Sequence, residues 1–350
     1  MENRKKIAIL FGGCSSEHEV SLHSAYSMIT HFNEAKYEPV LIGITREGKW
    51  LLFQDEVELI EQGMWEQSEK NIPVAASPDK KVHGLWVLDP NGVYTMKLDA
   101  AFPVLHGKNG EDGTVQGVFE LAGIPVVGCG LLSSAICMDK DMAHRLAANA
   151  GVKVPASYLM SKEEAGYAAV WADKLGYPVF VKPLRAGSSF GITKVTRPEE
   201  LEKAVRAAFA HDSLVLMEEM IEGFEVGCAV MGNEELTIGA VDEIELAAGF
   251  FDYTEKYTLQ TSAIHVPARI SNKKATEIKQ TAEVIYRALG CKGFARVDMF
   301  LTPEGDIYFN EVNTIPGFTS HSRYPSMMRE IGISFKEVIE RLIEMTLGAE

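Results

Sequence analysis

Ile7 to Phe11 form an unbroken apolar run behind Lys6, the pattern of a strand buried on both faces, and Gly12-Gly13 then mark a tight turn. A helix-like stretch from Glu19 to His31 follows. Further strands are predicted at Tyr37 to Ile44, Leu98 to Leu105 and Ile124 to Val127, with helical stretches between them. That alternation implies a parallel α/β sheet over residues 1–128, with 52–97 less regular. Beyond Cys129-Gly130 the spacing predicts a helical stretch to about 150 and a helix starting near Ser161, with Glu163 and Glu164 in its first turn. The strands Val179 to Lys182, Ile192 to Val195 and Leu214 to Met217 accompany a helix from Pro198 to Ala210. That helix puts Leu201, Ala204, Val205 and Ala208 on one face. A small α+β domain over 129–218 results. The remainder, 219–350, is strand-rich from Glu225 to Met231, carries a polar, aromatic insertion over 249–261, and has helices near 272–289 and 334–347.

A chain of 350 residues is naturally divided into two or three domains, and no internal repeat or low-complexity tract is present. Asp plus Glu number 49 against 34 Lys plus Arg, so the formal charge of −15 repels polyanions at long range and argues against a nucleic-acid partner. A nucleotide substrate would need local cationic clusters. The five cysteines, Cys14, Cys129, Cys137, Cys228 and Cys291, are far apart along the chain, odd in number and never spaced C-x-x-C. Neither a disulfide framework nor a thiolate metal site is expected, and reduced cytoplasmic thiols are. The basic start followed by a short apolar run is too brief for a signal peptide or a membrane span.

Chemistry concentrates in four places. Ala295 to Leu301 and Ile307 to Asn313 alternate about Thr302-Pro303-Glu304-Gly305-Asp306. A two-residue turn at Glu304-Gly305 would set Asp298 opposite Glu311 and Arg296 opposite Asn313, all four on one face. Facing carboxylates repel, and a divalent cation resolves that; two acids and an amide oxygen suit Mg²⁺. An exposed, salt-bridged hairpin is the alternative. The second place is Lys182-Pro183-Leu184-Arg185-Ala186-Gly187-Ser188-Ser189-Phe190-Gly191, a glycine-rich loop between strands that could wrap phosphates or be a mobile surface hairpin. It is not a P-loop, lacking G-x-x-x-x-G-K-[ST]. The third comprises Met138-Asp139-Lys140, Glu218-Glu219-Met220-Ile221 and Glu225, for which capping and solvated charge compete. The fourth, His106-Gly107-Lys108-Asn109-Gly110-Glu111-Asp112-Gly113, is a long polar loop after an apolar strand, the usual location of a site.

The order of these pieces resembles the ATP-grasp superfamily, and within it the D-alanine:D-alanine ligase family with its vancomycin-resistance relatives. The resemblance is carried by Gly12-Gly13-x-Ser15-x-Glu17-x-Glu19-Val20-Ser21, His106-Gly107-x-x-Gly110-Glu111-Asp112-Gly113, Met138-Asp139-Lys140 and Lys182-Pro183. Gly187-Ser188-Ser189, Lys256-Tyr257, Arg296-x-Asp298 and Glu311-x-Asn313-x-x-Pro316-Gly317-x-Thr319-Ser320-His321-Ser322 complete it, in family order. It implies a three-domain fold of α/β and α+β parts: an N-terminal parallel-sheet domain (1–128) and two ATP-grasp subdomains (129–218 and 219–350), with 249–261 as a lid. It further implies that Lys140, Lys182 and Ser189 hold ATP, that Glu218 and Ile221 read adenine, and that Glu225 takes the ribose. Asp298, Glu311 and Asn313 would hold two Mg²⁺, with Mn²⁺ as a substitute. Lys256 would reach the γ-phosphate, and Glu17 would take the first ammonium with Ser188 and Tyr257 linking it to the lid. Arg296 and the N–H near Gly317 would stabilise an oxyanion, while His106, Ser320 and Ser322 would contact amino-acid substrate. Ala186 departs from the family, many of whose members carry Glu there. A homodimer through the N-terminal domain is the family expectation.

Members of this family differ in the second substrate. Retention of Glu255-Lys256-Tyr257 argues against D-lactate, and Phe251 with Arg323 resembles the D-alanine:D-serine ligases of the VanG type. A polar group aimed at the serine hydroxyl would be left unpaired by D-alanine and so disfavour it. The alternatives are Arg323 bound to a carboxylate, a housekeeping D-alanine:D-alanine ligase, and a silent nucleotide-binding regulator. Retained Arg296, Asp298 and Glu311 argue against the last.

Overall fold

The computed structural model describes residues 4–187, 191–246 and 262–348. Three sheets carry the fold. The first contains β1 (Lys5–Gly12), β2 (Tyr37–Ile44), β3 (Trp50–Leu52), β4 (Ile72–Ala76), β5 (Gly84–Asp89), β6 (Gly92–Lys97) and β7 (Ala100–Pro103), in the order β6-β5-β4-β3-β2-β1-β7. Its helices are α1 (His18–Thr30), α2 (Glu58–Glu61) and α3 (Thr114–Ala122). Among the described strands of this sheet, β1 pairs in parallel with β2 and β7, and β3 to β6 extend the sheet as an antiparallel meander. The parallel pairing expected of this domain is present at its centre, and the less regular stretch 52–97 supplies the antiparallel extension. In β5 and β6 the outward positions Trp86, Leu88, Val93 and Tyr94 are apolar yet exposed, which hides the two-residue alternation. The segment 124–127 forms a single bridge, Ala101 with Val126, in place of a strand.

The stretch expected as one helix to 150 is two, α4 (Leu131–Met138) and α5 (Lys140–Asn149). Asp139 adopts an extended backbone between them, and its carboxylate accepts from Met142 N, capping α5. The second sheet follows as β8 (Ser157–Ser161), β9 (Val179–Pro183), β10 (Thr193–Val195) and β11 (Leu214–Glu219), all antiparallel. Ser161 ends a strand where a helix start was expected, with Glu164 accepting from its N–H at 3.0 Å in the turn that follows; the helix itself is α6 (Ala168–Leu175). Helix α7 (Pro198–Phe209) buries Leu201, Ala204, Val205 and Ala208, as its periodicity predicts.

The third sheet is antiparallel: β12 (Phe224–Gly232), β13 (Leu236–Leu246), β14 (Ser262–His265), β15 (Phe294–Leu301) and β16 (Ile307–Asn313), with helices α8 (Asn272–Ala288), α9 (Arg323–Glu330) and α10 (Phe335–Leu347). The last helix, α10, returns to the first sheet at β7, while α9 packs on β12 and β13. One continuous core joins Ile7, Ile9 and Phe102 to Phe294, Phe318, Phe335 and Leu342. Phe102, Phe294 and Phe318 form an aromatic triangle with centroids 5.4 to 6.0 Å apart.

Candidate active site

Two clefts open between the sheets. The larger, about 550 Å³, lies between the second and third and is walled by Lys182, Glu218, Ile221 and Glu225. The smaller, about 350 Å³, lies among Glu17, His106, Arg296, Asn313, Gly317 and Ser322. Lys140, Ala186 and Glu311 border both, so the clefts meet at one cation and one carboxylate.

The hairpin of β15 and β16 builds that meeting point. Arg296 pairs with Asn313 and Asp298 with Glu311, as alternation requires, but Met299 pairs with Phe309. The register therefore shifts by one, and Asn310 is the extra residue of a β-bulge. The turn is one residue longer than expected: Thr302 N donates to Asp306 O at 2.9 Å, and Gly305 sits at φ +89° in the left-handed region. The bulge cancels the longer turn, which is why the expected partners still face each other at the site. Arg296 Nε and Nη2 donate to the Asp298 carboxylate at 2.8 and 2.7 Å, and Asn313 Nδ2 donates to it at 2.9 Å.

Asp298 is only 1% exposed and lines neither cleft, while Glu311 borders both and Asn313 the smaller. Below it runs an ion-pair network in which Arg323 binds carboxylates, the alternative set out for it from sequence, although these carboxylates are buried. Arg323 donates through Nε and Nη2 to Asp242 at 2.7 and 2.8 Å and through Nη1 to Glu225 at 2.9 Å, with Nη2 3.3 Å from Asp298. Arg323 thus borders the smaller cleft with its guanidinium already committed to three carboxylates, which corrects the picture of a group aimed wholly at substrate. Gly227 makes this possible, because a Cβ there would collide with Arg323, Asp242 and Asp298. Asp242, fully buried in the apolar strand Ile238 to Ile244, is the sequence signal that was missed.

Glu17, buried at the start of α1, occupies the other side of the smaller cleft. Gly107, at φ +71°, and Gly187 both pack against its carboxylate where no Cβ would fit. His106 turns out to be a strut. Its Nδ1 bonds Ile315 O at 2.9 Å and its Nε2 bonds Ser24 Oγ at 3.0 Å, so neither ring nitrogen is left for substrate. Burial lowers its pKa, and the ring is neutral. Glu111, given no role from sequence, accepts from Gly107 N at 2.8 Å and Ile315 N at 3.0 Å; burial and then the neighbouring Glu17 push its carboxyl up to about 8. Ser322 Oγ bonds Thr319, whereas Ser320 lines neither cleft and donates its N–H to Ser27 Oγ at 3.3 Å.

In the larger cleft Lys182 Nζ is 2.5 Å from Glu218 Oε2, and Lys140 Nζ donates to Ala186 O at 2.8 Å. Because that contact uses backbone, the departure to Ala at 186 leaves it intact. Ser188, Ser189, Phe251, Lys256 and Tyr257 lie outside the described residues. Among the described residues no three His, Cys, Asp or Glu side chains gather as a metal-binding group, and no helix is long and apolar enough to cross a membrane. The cysteines are free thiols, although Cys137 and Cys291, distant in sequence, have sulfurs 3.7 Å apart.

A mixed sheet followed by two antiparallel ones, with a nucleotide-sized cleft between the latter, is the ATP-grasp architecture of an ATP-dependent ligase. Residues 6–129 match the family described as D-ala D-ala ligase N-terminus, and 146–344 match D-ala D-ala ligase C-terminus. The chain belongs to the D-alanine-D-alanine ligase family. It is 47% identical to the vancomycin/teicoplanin A-type resistance protein VanA of Enterococcus faecium, over 99% of each chain, and 43% identical to a D-alanine-D-alanine ligase of Caldicellulosiruptor bescii, over 98% of this chain and 95% of that one. The crystal structure of the VanG D-Ala:D-Ser ligase from Enterococcus faecalis superposes with a TM-score of 0.92 at 54% identity, covering 98% of this chain and 100% of that one.

Proposed function

We propose that this chain joins D-alanine to D-serine for peptidoglycan precursors at the expense of ATP, as a vancomycin-resistance ligase. The observation that carries the reading is the polar floor of the smaller cleft, where Arg323 stands beside Arg296 and Ser322. A polar floor penalises a second substrate that cannot satisfy it, while an apolar one could not select for a hydroxyl. Likeness to a D-Ala:D-Ser ligase over nearly the whole chain supports it. The working unit has three domains, 1–128, 129–218 and 219–350, with 249–261 as the lid and a homodimer as the expected assembly.

The first D-alanine rests its ammonium on Glu17, and its carboxylate attacks the γ-phosphate of ATP held by Lys140 and Lys182, giving an acylphosphate and ADP. The amine of the second amino acid adds to the acyl carbon, and collapse of the tetrahedral intermediate releases phosphate and the dipeptide. Arg296 and the Gly317 N–H stabilise the developing oxyanion, an effect typically of about 3 kcal/mol per donor. The donor set Asp298, Glu311 and Asn313 fits Mg²⁺, being hard oxygens on one hairpin where carboxylates face each other. Bound there, Mg²⁺ would offset the anionic repulsion between carboxylate and triphosphate.

Incubation of the purified protein with ATP, Mg²⁺ and equimolar D-alanine and D-serine, with the dipeptide weighed by mass spectrometry, tests the proposal. A D-alanyl-D-serine mass is expected. A D-alanyl-D-alanine mass alone would assign the chain the activity named for its Caldicellulosiruptor relative. Arg323→Leu with Phe251→Tyr should move the product toward D-alanyl-D-alanine.

A further inference from the structure

Two cysteines bracket α4, Cys129 just before its start and Cys137 in its last turn, and the link from α8 to β15 supplies a third, Cys291. All three are buried. Cys129 is turned to backbone, its thiol 3.5 Å from Lys292 O and 3.8 Å from Phe294 O. Cys137 and Cys291, distant in sequence, face each other with their sulfurs 3.7 Å apart. Of the three, only Cys137 also reaches the wall of the smaller cleft. The hydrogen bond from Cys291 favours the Cys137 thiolate, against burial and the neighbouring Cys129 and Glu111, which together hold the thiol above its ordinary value. A hydrogen bond from Cys129 favours the Cys291 thiolate in turn, but the bond given to Cys137 and burial outweigh it and hold Cys291 well above its ordinary value. The sulfur that a small oxidant can reach from the cleft is therefore also the one whose thiolate its partner supports.

We propose that Cys137 and Cys291 form a covalent modification site, at which a peroxide entering the smaller cleft joins the two sulfurs and silences the enzyme until a thiol reductant parts them. The Cys137 thiolate attacks one peroxide oxygen, the O–O bond breaks, and the departing hydroxide takes up the thiol proton and leaves as water. Cys137 is then a sulfenic acid. The Cys291 thiolate attacks its sulfur, the S–O bond breaks, and a second water leaves with the Cys291 proton. Two thiols have lost two electrons and two protons, and one peroxide has become two waters. A sulfur–sulfur bond is about 2.05 Å long, so the pair must close by about 1.6 Å. That pull falls on the last turn of α4, from which the chain runs through Asp139 straight into Lys140 at the junction of the clefts. A misplacement of about 1 Å in a positioning group can cost roughly a hundredfold in rate. The loss of activity rests on the proposed role of Lys140, and the linkage does not.

The test starts from Cys14→Ser, which removes the exposed thiol. This protein is treated with hydrogen peroxide, quenched with catalase, and divided between peptide mapping and an assay of ADP release. Joined Cys137 and Cys291 peptides, a mass lower by two hydrogens and a rate lower by roughly tenfold or more are expected, all reversed by dithiothreitol. With Cys137→Ala added, the rate after peroxide should stay within about twofold of its untreated value. With Cys291→Ala added instead, Cys137 should gain oxygen and form no linkage. Activity lost while the two sulfurs remain separate, a linkage that leaves the rate unchanged, or equal sensitivity in the Cys137→Ala protein would each overturn the proposal. Failure of the reduced protein to release ADP would instead sink the ligase reading, and the linkage, read by mass, would be decided all the same.

Discussion

Arg323 satisfies Asp242, Glu225 and Asp298 at once because a guanidinium offers a planar, fixed fork of donors that an ammonium lacks. Arg323→Lys keeps the charge and loses the fork. It should lower the preference for D-serine by roughly tenfold and cost on the order of 3 kcal/mol as buried carboxylates lose partners, read from dipeptide ratios and urea denaturation. Unchanged ratios with lowered stability would confine Arg323 to a structural role. Glu111 makes a separate prediction. With its folded pKa raised from 4.5 to about 8, the native state keeps a proton that the unfolded chain releases. The associated stability is fully present below pH 4.5 and is lost as pH rises through about 8. In Glu111→Gln the fall of Tm across that window should flatten, and a slope identical to wild type would refute the assignment. At this scale the sequence was partly legible. Glu17, Lys140, Arg296 and Glu311 stood in motifs, but Asp242 and Arg323 are 81 residues apart, and no local pattern announces a pair that only the fold brings together.

Helix ends and strand irregularities place the reacting groups. Asp139 interrupts a stretch that periodicity reads as one helix, and by capping α5 it sets Lys140 in the first turn, at the junction of the clefts. Ser334 caps α10 by a capping box far from either cleft. Asp139→Ala and Ser334→Ala should each cost about 1 kcal/mol, yet only the former should raise the KM for ATP, by several-fold. Equal kinetic effects would show that Lys140 is indifferent to where its helix begins. The two-residue period of β15 and β16 was readable because both strands alternate cleanly, and it correctly opposed Asp298 to Glu311. The bulge at Asn310 was not, since one extra residue in one strand leaves the apolar pattern on either side unchanged. The longer turn at Gly305 escaped for the same reason: two opposite errors of one residue cancelled at the site.

On the scale of the molecule, the three-sheet plan followed from the order of strands and helices, but the way the chain closes on itself did not. Helix α10 is the last element in sequence and packs against the first sheet, where Phe335, Val338, Ile339, Leu342 and Ile343 enter the same core as Ile7, Ile9 and Phe102. Amphipathic spacing shows that such a helix has a buried face, and only tertiary structure shows what that face meets. Burial of five such side chains, at about 2 kcal/mol each, amounts to on the order of 10 kcal/mol, comparable with the whole stability of a typical domain at about 5 to 15 kcal/mol. Ending the chain at Ser334 should therefore do more than fray a terminus. The shortened protein should lose its cooperative thermal transition and bind a hydrophobic dye, although both clefts keep every residue described at their walls. A shortened chain that melts cooperatively within a few degrees of the full-length protein would mean that the C-terminal helix rests on the first sheet without holding it.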